Sequence, residues 1–152
     1  MLKKREPSLN KDVEPWVRKI ASDPSTPVQS VERVTPKHLR LGMRNAVSGY
    51  NMDIKDQGLQ ISYGAILTPD IEGSNQAACY GDILELNAKL NNGIRVGREN
   101  GNLTVTKEDH KEGLGPLAVG RSIRNMDDSL QVLLPEVHKI VKNNNGHFKR
   151  GK

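Results

Sequence analysis

Aromatic side chains are scarce in this sequence of 152 residues, where they make up 3% of the chain. There is one tryptophan, Trp16, and one phenylalanine, Phe148. Because aromatic residues bury the largest areas, the core must be built here from many leucine, isoleucine and valine side chains. Hydrophobic residues amount to only 35% of the chain. We therefore expect a single domain with a lean core that other subunits or a partner complete.

Cysteine and long apolar runs are lacking as well. The single cysteine, Cys79, excludes an internal disulfide framework and is expected to be a small buried hydrophobe. No stretch of about 18 apolar residues exists, which excludes a membrane-spanning helix. No apolar run follows the charged residues near Met1, so we expect no signal peptide. These absences predict a soluble protein, made inside the cell, with no membrane partner.

Motifs for catalysis and metal binding are also missing. Ser48 lacks the first glycine of a nucleophile elbow. The glycine-rich stretch 113–120 lacks the ending of a phosphate loop, and we interpret it as a loop that leads into a short strand. The histidines have neither HExxH nor paired-ligand spacing; they are His38, His110, His138 and His147. We therefore predict no catalytic residue, no metal site, no cofactor and a non-enzymatic role.

Charge is present but segregated, with a formal net charge of +5. Residues 1–40 carry nine basic and five acidic side chains, 41–136 carry nine and thirteen, and 137–152 carry five and none. Basic ends of this kind contact an anionic surface, either nucleic acid or the acidic face of a neighbouring subunit. The predicted contact residues are Lys3, Lys4, Arg5, Lys149, Arg150 and Lys152.

Residues 1–37 are predicted to form an extended N-terminal arm with one short helix. The apolar residues of this helix are spaced at i, i+3, i+4 and i+7; they are Val13, Trp16, Val17 and Ile20. A helix of two turns is marginal alone, so this stripe must pack against the body of this chain or against another subunit. We predict the second arrangement, which makes the stripe a partner interface.

Residues 38–124 are predicted to form a β-rich body. Apolar and polar residues alternate in 59–67 and again in 84–90, which is the period of a half-buried strand. The turn residues 98–101 join strands at 94–96 and 103–105 into a hairpin. Short strands at a spacing of about ten residues favour a mainly β fold, either a sandwich, a barrel or a trimeric β-prism-like body.

Residues 125–146 are predicted to form a C-terminal helix, followed by a basic tail at 147–152. Leu130, Leu133, Val137 and Val141 lie on one apolar face of this helix. Pro135 predicts a kink, or a division into two short helices. Asn145-Gly146 supplies the stop signal.

Three segments consist of a turn residue followed by alternating apolar residues, namely 58–61, 93–96 and 102–105. At about residues 82–106 the pattern resembles the repeating strands of viral fibre and tail-spike shafts, in which three chains wind around a shared axis. The whole chain resembles small accessory proteins of bacteriophage virions, such as head-decoration (cement) proteins and fibre or tail adaptors, which combine a compact β body with a terminal arm.

The resemblance implies a structural role in a virion that is assembled in the host cytoplasm. It also implies capsid or tail subunits as partners and a homo-oligomer, with a trimer favoured. The alternative is a nucleic-acid-binding accessory protein that holds phosphates with its basic ends, and such binding would fall steeply with salt. An enzyme that acts on sugars or other hydrolysable substrates through scattered carboxylates is a third possibility.

Overall fold

The structure, a computed structural model, describes residues 9–44, 49–64, 67–90, 93–99 and 101–148. Its helices are α1 (Leu9–Ala21), α2 (Gly73–Glu85), a 3-10 helix (Leu86–Lys89) and α3 (Pro116–Asn143). Its strands are β1 (Val28–Thr35), β2 (His38–Met43), β3 (Tyr50–Lys55), β4 (Gly58–Tyr63), β5 (Pro69–Asp70), β6 (Ile94–Glu99), β7 (Asn102–His110) and β8 (His147–Phe148).

Six strands form one antiparallel sheet in the order β1-β2-β3-β4-β7-β6, and β5 pairs separately with β8. Within the large sheet Leu39 lies opposite Met52, and Met52 lies opposite Ile61. All three are 0% exposed, so this face is the core face. The other face is polar, and one row across it consists of Arg40, Asn51, Ser62 and Thr106. An antiparallel sheet with one buried and one solvated side has this alternation.

The helices cover the core face of the sheet. Val13 and Val17 of α1 and Cys79 and Ile83 of α2 are all 0% exposed. Helix α3 has 28 residues and is about 42 Å long. It packs against β7, and its Asp127 reaches Tyr50 of β3. Its buried apolar residues recur every three or four positions and are Val119, Ile123, Met126, Leu130, Leu133, Val137 and Val141. Aliphatic side chains from several elements therefore supply the area that aromatic residues provide in other cores.

A buried hydrogen bond joins α3 to the centre of the sheet. The Tyr50 hydroxyl donates to Oδ1 of Asp127 at 2.8 Å, and Gln131 donates to Oδ2 at 3.4 Å. Tyr50 is 1% exposed and Asp127 is 7% exposed. Burial is the main cause that raises the pKa of the Tyr50 hydroxyl above its usual value, and the hydrogen bond to Asp127 is the second. The hydroxyl therefore keeps its proton and remains a donor.

Several sequence-based expectations are confirmed. The predicted β-rich body is present as a six-stranded antiparallel sheet, and the predicted C-terminal helix is present as part of α3. The predicted strands at 94–96 and 103–105 lie in β6 and β7, and most of the strand predicted at 59–67 lies in β4. Cys79 is buried and free. Helix α3 ends at Asn143, and Asn145 has a φ of 61°, as expected of the predicted stop.

Other expectations about the fold are wrong. The large sheet is not closed into a barrel, and helices cover it where a sandwich would place a second large sheet. Residues 84–90, predicted as a strand, belong mostly to the end of α2 and the 3-10 helix. Buried Cys79, Ile83 and Leu86 follow the helical spacing there, while the alternating leucines fit either period over so short a stretch.

The boundaries of the terminal elements also differ from those expected. The stretch 113–120, predicted as a loop that leads into a short strand, leads into a helix: residues 116–120 form the first turns of α3. Helix α3 begins with Pro116 because proline suits that position. Helix α3 continues through the exposed Pro135 as one element, so the division into two helices is wrong. Strand β1 lies within the predicted arm and forms one edge of the sheet.

Replacing Tyr50 with phenylalanine is expected to lower the free energy of unfolding by about 1–3 kcal/mol, because the buried Asp127 carboxylate loses a donor. Urea unfolding measures the change. The matched control is Tyr63→Phe: this ring packs edge-on against Tyr50 with centroids 6.2 Å apart. Its hydroxyl bonds to no residue that the structure describes, so we expect a change within about 0.5 kcal/mol. Equal losses in both variants would contradict the role given to the Tyr50–Asp127 bond.

Candidate interaction surfaces

The apolar stripe of α1 is used largely within the chain. Val13 and Val17 are fully buried in the core, and Trp16 and Ile20 pack against it while remaining partly exposed. Glu14 forms ion pairs with Arg18 of the same helix at 2.9 Å and with Arg33 of β1 at 2.5 Å. The predicted interface is therefore reduced to Trp16 and Ile20, because a neighbouring subunit cannot reach the two valines in this arrangement.

The predicted basic contacts, Lys3, Lys4, Arg5, Lys149, Arg150 and Lys152, lie outside the described residues. What the structure does show is where the C-terminal segment is anchored. Phe148 lies opposite Pro69 in the β5–β8 pair, and its ring meets that of His138 edge-on with centroids 4.5 Å apart. A Cβ at position 146 would lie 2.5 Å from Cγ1 of Ile71, so glycine permits the close approach of the chain here.

A basic depression of about 380 Å³ adjoins this anchor. Its lining includes His138, Lys142, His147 and Phe148. The Asp70 carboxylate is 3.5 Å from His147, at the edge of the same region. The described part of the chain thus ends at Phe148, in a depression that the exposed Lys142 also lines.

The polar face of the sheet carries two depressions of about 420 Å³ each, and Thr106 lines both. Charges of both signs occur there, with Lys55 and Arg95 near Glu108 in one depression and Asp53 and Glu99 in the other. A face with mixed charges is the ordinary solvated side of an antiparallel sheet. It does not favour a run of phosphates.

One buried cluster contains the residue types of a nucleophile and its base. Lys107 is 4% exposed and Ser122 is 5% exposed. The Lys107 ammonium lies 2.5 Å from Oδ1 of Asp109 and donates to the Ser122 hydroxyl at 2.8 Å. That hydroxyl in turn donates to Oδ2 of Asp109. The ammonium, the hydroxyl and the carboxylate are therefore all bonded to one another. These bonds join β7 to the beginning of α3. Sequence reasoning missed the cluster, although Lys107 continues the inward alternation of Leu103 and Val105.

An exposed apolar groove lies between the 3-10 helix and the outer side of α3. We call it the Val132 groove; it has a volume of about 280 Å³ and is lined by Leu86, Lys89, Leu90, Asp128, Ser129, Val132, Leu133 and Glu136. Val132 is 70% exposed, whereas Leu86 and Leu133 at the base of the groove are 7% and 3% exposed. Sequence reasoning missed the groove because it assigned 84–90 to a strand.

The wall formed by the 3-10 helix is held firmly against the sheet. The Asn87 side chain accepts a hydrogen bond from the Val96 backbone N–H at 2.7 Å and donates to the Val96 carbonyl at 2.9 Å. Because β6 is an edge strand, this pair of bonds also occupies part of an edge that would otherwise be open. The groove is therefore a fixed feature between two packed elements.

No three histidine, cysteine, aspartate or glutamate side chains within the described ranges lie close enough together to hold a metal ion. In the same part of the chain, no helix has the length and apolar character needed to cross a membrane.

Comparison with known proteins adds no family: no family model and no curated protein matches this chain.

Replacing Lys107 with methionine is expected to lower the free energy of unfolding by about 3 kcal/mol, because Asp109 and Ser122 lose the cation between them. The double variant Lys107→Met/Asp109→Asn removes the uncompensated charge and should be less destabilised than the single variant. Urea unfolding of both variants measures the difference. A double variant at least as unstable as the single one would show that the cluster does not act as an ion-paired clamp.

Proposed function

We propose that this chain is a non-enzymatic structural protein of a virion, of the capsid-decoration, fibre or tail-connector kind, and that it binds neighbouring protein subunits through the Val132 groove. The virion setting follows from the resemblance of the sequence to phage accessory proteins. The subunit-binding role is supported by one structural observation, an exposed apolar groove with charged residues on both walls.

The physical argument rests on Val132, which is 70% exposed on a helix whose other valines at 119, 137 and 141 are buried. Burying an exposed valine side chain contributes about 1.5–3 kcal/mol, so a partner that covers this position gains stability. Exposed apolar surface rimmed by charged residues is typical of protein–protein contacts. Trp16 and Ile20, both partly exposed, give α1 a second, smaller contact area.

Val132→Asp places a third carboxylate between Asp128 and Glu136 and is expected to reduce incorporation of the chain into virus particles at least about tenfold, equivalent to roughly 1.4 kcal/mol. The variant replaces the viral copy in infected cells, and particles are purified on a gradient. Mass spectrometry then measures the number of copies of this chain in each particle. The matched control is Leu117→Asp, on the same helix but outside the groove, where the side chain is 82% exposed.

The control should be incorporated like the unmodified chain. The proposal fails if purified particles contain none of the unmodified chain, or if the Val132 and Leu117 variants are incorporated equally well.

A second candidate function, nucleic-acid binding, is favoured by the basic depression at the end of α3. The described part of the chain ends there, at Phe148, and Lys142 lines the same depression. Lysine side chains neutralise phosphates, and an aromatic ring offers a surface on which a base can stack. Because the polar face of the sheet carries charges of both signs, a nucleic-acid site is proposed only at the C-terminal end.

On this second candidate, Lys142→Glu is expected to weaken binding to a fluorescein-labelled DNA duplex. It should also reduce the slope of log affinity against log salt concentration by roughly 0.9, because one phosphate contact is lost. Fluorescence anisotropy at several salt concentrations gives both quantities. Lys37→Glu, a charge reversal in the exposed β1–β2 turn, serves as the control. If the two variants change the affinity equally, the C-terminal depression is not a nucleic-acid site.

A further inference from the structure

We infer that the Val132 groove is occupied by the same groove of a second copy of this chain, related by a twofold axis that runs along the groove. The inference rests on the proposed function, since it names the partner of the groove through which we propose that the chain binds other subunits. It differs from the trimer that the resemblance implies.

The first argument is the distribution of charge across the groove. Asp128, Val132 and Glu136 are spaced by four residues and therefore lie in one line on the α3 wall. Lys89 lies on the opposite wall, at the end of the 3-10 helix. None of these three charged side chains forms an ion pair with another residue in the described part of the chain. The groove thus presents unpaired positive charge on one wall and unpaired negative charge on the other.

The second argument is symmetry. In a twofold contact, if residue i of one copy faces residue j of the other, then j also faces i. An axis parallel to the groove places the 3-10 wall of each copy against the α3 wall of the other. Lys89 of each copy then faces the acidic line of the second copy, so the opposite charges meet twice. The same arrangement covers Val132 in both copies.

The third argument concerns alternative contacts. A ring of three copies uses two different patches, so it needs a second apolar surface that fits the groove. Trp16 and Ile20 of α1 are only partly exposed and pack against the core of their own chain. The other large apolar side chains exposed in the described residues are Val34, Leu84 and Leu117, and none of them lines the groove. They lie on β1, on α2 and in the first turn of α3, so each is isolated on its element. A self-complementary groove needs no such second surface.

Charge reversal tests the arrangement with the purified chain. Lys89→Glu alone, and Asp128→Lys/Glu136→Lys alone, each place like charges opposite one another at both contacts. Each is expected to raise the Kd for self-association at least about tenfold. Mixed together, the two variants restore opposite charges at both contacts and are expected to form a heterodimer. Native mass spectrometry distinguishes the heterodimer from either homodimer by mass.

Lys37→Glu and Asp56→Lys, charge reversals in the two exposed hairpin turns, are the controls and should self-associate like the unmodified chain. The inference is overturned if the groove variants associate as the unmodified chain does, if mixing gives no heterodimer, or if the unmodified chain does not associate. If the purified chain stays monomeric while particle incorporation still depends on Val132, only the second copy as occupant is wrong. The proposed function then stands with a different protein in the groove.

Discussion

The apolar face of the six-stranded sheet must be covered, and α1, α2 and α3 together provide that cover. The buried residues of α3 recur every three or four positions along 28 residues, so one face of the helix packs into the core along its length. Two polar contacts fix its position: Tyr50 bonds to Asp127, and Lys107 bonds to Ser122. With few aromatic side chains available, the core depends on this extended aliphatic contact and on α1 and α2, which complete the layer.

The need to cover the apolar face of the sheet also explains why a groove exists on the outside of the helical layer. Helix α2 passes into the 3-10 helix, and Asn87 bonds that segment to the edge strand β6. The 3-10 helix therefore stands beside α3 with Leu86 and Leu133 at the base of the space between them. Val132 lies next to Leu133 in the same turn of α3, but its side chain remains exposed. On the proposal made above, a partner that covers this exposed valine stabilises the assembly.

The sequence allowed the hairpin of β6 and β7 and much of β4 to be predicted, because short alternating segments bounded by glycine turns have few other solutions. The strand predicted at 84–90 is wrong, because alternating leucines there fit both a strand and the end of a helix. Only the packing of Ile83 and Leu86 against other elements decides between them. The sequence predicts the apolar stripe of α1 but not the surface that it packs against. An apolar stripe fits the body of its own chain as well as it fits a neighbouring subunit. Ion pairs such as Lys107 with Asp109 depend on tertiary placement that no local pattern records.

The central claim is that the Val132 groove is the contact between two copies of the chain. The most direct measurement is the native mass of the unmodified chain by light scattering after size exclusion, over a dilution series at low and high salt. The account predicts a species of twice the 16.8 kDa of one chain that dissociates on dilution. It also predicts that salt weakens this species only modestly, because the groove is apolar at its base and charged only at its walls. A mass of one chain at every concentration, or three chains throughout, would contradict it.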